Sequence, residues 1–514
     1  MKAFHIDMNG LLYQKAYLKQ WLTKLAADGY DTILWELENG VQWDTCPESN
    51  DSDALSKKDF KEILQHTKDC GLESIPLFQT IGHAEYVFKN KEYLHLAENV
   101  AEFRQYCPLN PEALAFLHTW IHEYLDLFGP LRYFHIGADE AYDLGFCPKC
   151  QKKAQDKSLS ELYIDHINAV ITPILKKNIT PIIWGDMILH HHEALGKLDK
   201  RIMIYDWIYK VNNEYPTVHI WGDGWLEPSK INERAKKTFG NFLFPKGKKG
   251  FDPFYTSAFL TKNEFKTVIC PASSCYGDTV FAPGWFHLAN CFDFIQKSQE
   301  SHLEGFTLTS WTVHLLPWEL QNICISMNKF LTTTPKGTFA EYQTWYSENI
   351  LGSNNNQFWK AVELLSAPLP LALTRDIGHS KDNVPSPDDA ILKSLAKYLK
   401  DQSKEEFATK IKGQKEDILK GIEILNEVKA VTKKNMAEID VWLLAGQNLL
   451  NRAKAVLAIL GSDQEQKKAM IAETLTAKEN YKQYLSDHLQ PKRLKDTTDR
   501  IFDPLVFALK NSCV

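Results

Sequence analysis

The stretch Tyr133-Phe-His-Ile-Gly-Ala-Asp-Glu-Ala-Tyr-Asp-Leu-Gly145 opens as a short apolar strand and closes on an adjacent acid pair, Asp139–Glu140. Each carboxylate prefers water, and two together raise one another's pKa, so stability does not explain them where a buried strand runs out. Side chains alternate along a strand, which sends Asp139 and Glu140 to different sides. One then faces the centre of a barrel while the other reaches over its rim.

Seven further strand-length apolar runs surround this one: Ala3–Asn9, Thr32–Glu38, Glu73–Thr80, Thr180–Met187, Arg201–Ile208, Thr267–Ser274 and Gly305–Trp311. Several are almost continuously apolar, the pattern of strands covered on both faces. Helical patterns separate most of them. Ser56 and Asp59 stand in capping-box-like spacing ahead of Phe60, Ile63, Leu64 and Thr67, and Gly71 stops that helix. Asn110-Pro111 opens another, with Leu114, Leu117, Ile121, Tyr124 and Phe128 as its stripe and Gly129-Pro130 as terminator. Eight strands alternating with helices predict a (β/α)8 barrel, an α/β fold. Polar or aromatic residues gather at the C-terminal ends of the runs, where such barrels place catalysis. Asp7, Glu36, Gln79 to His83, Trp184, Asp186, Asp206, Trp207, Tyr276, Asp278 and Trp311 all fall there.

At 514 residues the chain exceeds one hydrophobic core. The expected division is a barrel over 1–335 with an elaborated segment at about 211–266, closing helices and a linker over 336–387, and an all-α bundle over 388–514. In the bundle Met436, Leu443, Leu450 and Leu457 recur every seven residues, with Ile439, Ala453 and Leu460 on a second seam. The bundle reads as scaffold.

A net charge of −6 argues against a nucleic-acid surface. No apolar stretch approaches the roughly 20 residues of a membrane helix. The first residues pass straight into a strand pattern, so a cytoplasmic protein without a signal peptide is expected. Ten cysteines lack a small-domain spacing, as reduced thiols do. Cys147-Pro-Lys-Cys150 alone is motif-like; zinc needs about four ligands, so the pair reads as loop thiols, and whether it binds a structural metal is left open.

The quoted strand resembles the His-x-Gly-x-Asp-Glu strand of family 20 glycoside hydrolases, the β-N-acetylhexosaminidases, and is most similar to the hexosaminidase D branch. The matching stretches are P-L-F-Q-T-I-G-H-A-E at 76–85, H-I-G-A-D-E-A-Y-D-L-G at 135–145, P-I-I-W-G-D-M at 181–187, I-Y-D-W at 204–207 and L-T-S-W at 308–311. The resemblance covers roughly residues 3 to 330. It implies Glu140 as general acid/base and Asp139 as the acceptor for the substrate's acetamido nitrogen. It makes His83 a supporting group near the glutamate, with Trp184 and Trp311 as walls of the sugar pocket. Asp186 joins the expected substrate-binding set, and the acetamido carbonyl falls to Tyr205, Trp207 or Tyr276. Where most members carry an arginine at the first strand end, this chain has Asp7 and Asn9.

The expected function is exo-acting removal of terminal β-linked N-acetylhexosamine with retention. In substrate-assisted families the acetamido oxygen is the nucleophile, whereas conventional glycosidases use a second carboxylate, for which Asp206 and Glu36 are the candidates. No cofactor and no metal enter this reading. The expected partners are N-acetylhexosamine-containing glycans, with neither nucleic acid nor membrane, and a homodimer is left open. Two rivals come from other classes: a non-catalytic glycan-binding barrel, and a metal-dependent barrel hydrolase using His5, Asp7, His83, His135 and Asp186 as ligands. The first calls for loss of an acid, and both acids are present. The second needs His5 and His135, which lie inside apolar strands where a hydrogen-bonded core histidine is commoner.

Overall fold

The computed structural model describes all residues except 214–215, 248–249, 275–284, 313–316, 354, 367–388 and 513–514, and the side chains of 285–286. Tyr276, Asp278 and the expected linker up to 387 therefore lie outside the described residues.

All eight apolar runs become strands of one closed parallel barrel. In chain order its strands are β1 (Lys2–Asp7), β2 (Thr32–Glu36), β3 (Glu73–Leu77), β4 (Tyr133–His135), β5 (Thr180–Trp184) and β6 (Met203–Trp207). A small antiparallel hairpin follows, β7 (Val218–Ile220) and β8 (Gly224–Leu226), then β9 (Lys266–Cys270), the short β10 (Ala272–Ser274) and β11 (Gly305–Ser310). Neighbours pair in the order β1-β2-β3-β4-β5-β6-β9-β11, and β11 returns to β1 with Lys2 opposite Phe306, which removes every edge from the ring. β2 is buried throughout, as its unbroken apolar run requires.

The intervening helices start and stop where local chemistry dictates. Ser56 accepts from the Asp59 N–H and caps Lys57–Asp69. Asn110 accepts from the Glu112 N–H and caps Pro111–Phe128, which ends at Gly129 with a positive φ of 75°. The segment after β6 carries the β7–β8 hairpin and helices Glu233–Leu243 and Tyr255–Lys262.

The chain divides into two compact units. Residues 1–9, 19–272 and 293–309 form the first, and 10–18, 273–292 and 310–514 the second. In the second, long helices span Lys404–Val431, Met436–Leu460, Gln464–Leu485 and Pro491–Asn511. The seven-residue stripe is not the seam that packs best there: Met436 is 40% exposed, whereas Ile439, Trp442, Ala453 and Ile459 are fully buried. Helix Met436–Leu460 is covered on nearly every side, as in the expected all-α bundle, so a seven-residue repeat does not mark its buried face. Among the described residues no helix is long and apolar enough to cross a membrane.

Candidate active site

The acid pair sits on backbone that leaves the strand early. β4 ends at His135, and Gly137, Ala138 and Glu140 follow with φ of 66°, 76° and 47°. Left-handed backbone at a glutamate and an alanine is costly, and it is held by contacts that recapture the polar groups freed from the ladder. The Thr80 hydroxyl donates to Ile136 O at 2.7 Å and the Tyr163 hydroxyl to Ala138 O at 2.8 Å. The Trp184 N–H donates to Gly137 O at 2.9 Å. Two glycines are obligatory here: a Cβ on Gly137 would lie 2.0 Å from Gln79 Oε1, and one on Gly82 2.3 Å from Asp139 O.

That turn sends the two acids apart. Asp139 is buried, and Glu140 keeps a third of its side chain exposed. His83, itself at a positive φ of 54°, places Nε2 3.3 Å from Asp139 Oδ2 and 3.3 Å from Glu140 Oε2. Burial pulls the His83 pKa down, but the two carboxylates outweigh it and hold the pKa well above the ordinary imidazole value. Burial raises the Asp139 pKa, with the Glu140 charge adding to the rise and His83 opposing it. Asp139 Oδ1 is shut off from water with no hydrogen-bond partner among the described residues. The site thus contains a buried acceptor without a donor.

Asp186 holds the backbone of Glu140 from behind. The Glu140 N–H donates to Asp186 Oδ2 at 3.0 Å, and Trp207 Nε1 donates to Asp186 Oδ1 at 3.3 Å. Burial first, then the Asp139 charge, push the Asp186 pKa to about 8. Trp207 stacks on Tyr209 at 4.9 Å and meets Trp221 of the hairpin segment edge-to-face at 4.8 Å, giving the site an aromatic wall. Residues 15–222 match the glycosyl hydrolase family 20 catalytic domain.

The family 20 resemblance extends to curated relatives. The chain is similar to hexosaminidase D of Homo sapiens (32% identical over 196 residues) and of Bos taurus (33% over 196 residues). Each match covers 37% of this chain, and 40% and 56% of those proteins respectively. The chain thus spans about half the length of the curated relatives it matches, or less. Among solved structures, the chitobiase of Flavobacterium johnsoniae is 15% identical with a TM-score of 0.48, covering 97% of this chain and 78% of that one. An exo-β-N-acetylglucosaminidase of Vibrio harveyi is 15% identical with a TM-score of 0.47, covering 66% and 55%.

Not every residue expected at the family 20 site lies beside the acids. Trp184 is fully buried one layer below the rim, packed on His135 at 4.5 Å and edge-on to Tyr205 at 5.8 Å. Tyr205 is fully buried too, and its hydroxyl donates to Met1 Sδ at 3.0 Å, away from the acid pair. Of the three candidates for the acetamido carbonyl, Trp207 stands at the rim and Tyr276 is outside the described residues. Trp311 lies in the second unit, its N–H 3.4 Å from Ser274 O.

The conventional nucleophile candidates are engaged elsewhere. Asp206 accepts from the Thr256 hydroxyl at 2.8 Å on the helix side of its strand, and burial lifts its pKa to about 7. Glu36 is held by His5 Nε2 at 2.9 Å and Gln79 Nε2 at 2.7 Å. His5 and His135 are both fully buried in the barrel interior, as expected of core histidines. One functional neighbour escaped the sequence reading: the hydroxyl of Tyr142, a residue 61% exposed, donates to Glu140 Oε1 at 3.1 Å. Its signal was present, since it lies two residues beyond Glu140.

Proposed function

We propose that this protein is an exo-acting β-N-acetylhexosaminidase that removes terminal β-linked N-acetylglucosamine or N-acetylgalactosamine with retention, using the substrate's acetamido oxygen as nucleophile. The observation that carries this reading is Asp139 Oδ1, a buried acceptor without a donor beside an accessible glutamate. A sugar's acetamido N–H supplies the missing donor. Held there, the acetamido carbonyl oxygen attacks the anomeric carbon while Glu140 gives its proton to the departing glycosidic oxygen. Asp139 stabilises the positive charge that develops on the oxazolinium, a contact made stronger by exclusion of water. Glu140, now a carboxylate, takes a proton from the water that opens the ring. His83 holds both carboxylates in place, and Tyr142 fixes the Glu140 rotamer. The outward turn of Asp206 and the engagement of Glu36 further support substrate assistance over an enzyme-bound ester.

The substrates on this reading are N-acetylhexosamine-containing glycans, with no metal in the chemistry, and the protein acts in the cytoplasm. The helical region from 388 serves as scaffold. A series of aryl N-acetylhexosaminides with zero to three fluorines on the acetyl group tests the mechanism. Fluorine drains electron density from the acetamido oxygen, so log kcat should fall steeply with fluorine number. A flat series together with a trapped glycosyl ester on Asp206 or Glu36 would establish double displacement instead. Absence of turnover with tight binding of N-acetylhexosamine would favour a glycan-binding barrel.

A further inference from the structure

Behind the Glu140 loop, residues far apart in sequence converge on a second cluster. An antiparallel bridge between Ala97 and Tyr106 closes a hairpin that carries Glu98 on one arm and Cys107 just past the other. Cys147 caps the helix Pro148–Asp156, and Cys150 lies in its first turn. The Cys107 sulfur lies 3.7 Å from Cys147 Sγ and 3.7 Å from Cys150 Sγ. A Glu98 carboxylate oxygen and the three sulfurs all fall within 4.8 Å of one another.

We propose that Glu98, Cys107, Cys147 and Cys150 form a structural site for a thiophilic divalent cation, zinc by its coordination chemistry. The spacing fits: Zn–S bonds of about 2.3 Å in a tetrahedron put the sulfurs about 3.8 Å apart. Leu109, Leu144 and Leu162 pack around the cluster, so it is shielded from solvent. In that apolar shell Glu98 is 3% exposed. Its Oε1 accepts from the Cys147 N–H at 2.9 Å, while its Oε2 is buried with no hydrogen-bond partner among the described residues. A buried carboxylate oxygen left without a partner is expensive, and a cation held by the neighbouring sulfurs supplies the missing charge. Each thiol passes its proton to solvent as its Zn–S bond forms. The Cys150 N–H, 3.4 Å from Cys147 Sγ, and the helix N-terminus offset part of the negative charge that results.

The site would lock the hairpin to the chain that follows Glu140. Arg104 already grips Asp143 with two bonds of 2.9 and 3.1 Å, and Gln105 Oε1 accepts from the Asp143 N–H at 3.0 Å. The same hairpin holds the His83 loop, because Arg104 O accepts from the Ala84 N–H and the Tyr106 N–H donates to Ile81 O. This inference is independent of the glycosidase reading, since it concerns what fixes the loops and not what they bind.

The test is elemental analysis of the full-length protein, purified under reducing conditions and reloaded with zinc after chelator stripping. One zinc per chain is expected. Cobalt loaded into the stripped wild-type protein should give tetrahedral d–d bands and strong thiolate charge-transfer absorption. Cys150→Ser should abolish stoichiometric zinc. Glu98→Gln, which retains the side chain's shape, should weaken zinc by at least about tenfold in chelator competition, the lower end of what even an outer-shell partner contributes. Amide exchange at 139–147 should slow on reloading. A stripped wild-type protein that takes up neither zinc nor cobalt would overturn the proposal. So would an intact mass lighter by two hydrogen atoms, from an oxidised disulfide, in the zinc-exposed protein, or zinc content in both variants equal to wild type.

Discussion

Asp186→Asn isolates the electrostatic cost of the candidate site. Asp186 is 3% exposed, and its folded pKa of about 8 stands far above its ordinary value of 3.8. A raised folded pKa gives a stability contribution that is complete below the unfolded value and is lost as pH rises through the folded one. At about pH 5.5 the unfolded carboxyl is ionised and the folded one is protonated, a difference of about 2 kcal/mol. At about pH 8.5 the loss is nearly complete at roughly 5–6 kcal/mol, so the wild-type protein pays about 3 kcal/mol between the two. Asn carries no such penalty. It can accept from only one of the Glu140 and Trp207 N–H groups, which costs about 1–3 kcal/mol at either pH and cancels in the comparison. Urea unfolding of both proteins at both pH values should therefore show Asp186→Asn gaining about 3 kcal/mol on wild type as the pH is raised. If both proteins lose stability in parallel, Asp186 is not the group that carries the cost, and the reading of its environment fails.

Four further outcomes follow from the same contacts. Glu140→Gln should fold normally and lose about 10²–10⁴-fold in turnover of substrates with poor leaving groups, measured on a natural disaccharide. His83→Gln should move the acidic limb of kcat/KM up by about one pH unit: a full Coulomb term at 3.3 Å is about 5 kcal/mol per carboxylate, and solvent screening of the partly exposed imidazole leaves about 1–2 kcal/mol. Tyr163→Phe should cost about 1–3 kcal/mol and speed amide exchange at Asp139 and Glu140, because Ala138 O loses the Tyr163 hydroxyl as donor. Truncation before 388 should give an insoluble product: residues 10–18 lose their partners, among them Leu489 opposite Tyr13 and Ser486 O bonded to the Gln14 amide. A soluble, cooperatively folding fragment would contradict that expectation.

The barrel was legible because its strands are buried on both faces, which leaves long apolar runs, and because each run ends in residues that a core would not keep. The acid pair was legible for the same reason. Depth was harder to read. Trp184 ends its strand and Asp186 opens the short helix Asp186–His190 two residues later, but which of them stands at the rim depends on where the ring of hydrogen bonds ends, and the sequence does not mark that position. Tyr205 and Trp207 repeat the ambiguity one strand later: Tyr205 turns toward Met1 and Trp207 toward Asp186. Cys107 and Glu98 could not be joined to Cys147 and Cys150 by spacing, since a hairpin about forty residues upstream delivers them. The even heptad in Met436–Leu460 misled because a helix enclosed on most sides has no single seam.

The aromatic wall also has an optical consequence. Trp207 and Trp221 face each other edge-to-face at 4.8 Å, and Trp207 is tied to Asp186, whose protonation changes near pH 8. Two indoles at that separation and angle couple their transitions and give a near-ultraviolet circular dichroism signal that depends on their mutual orientation. Ionisation of the carboxyl on which one of them rests, or, on the proposed glycosidase reading, a sugar ring sliding against the pair, is thereby recorded without any label. The protein carries its own spectroscopic gauge of both events in the side chains that line its site.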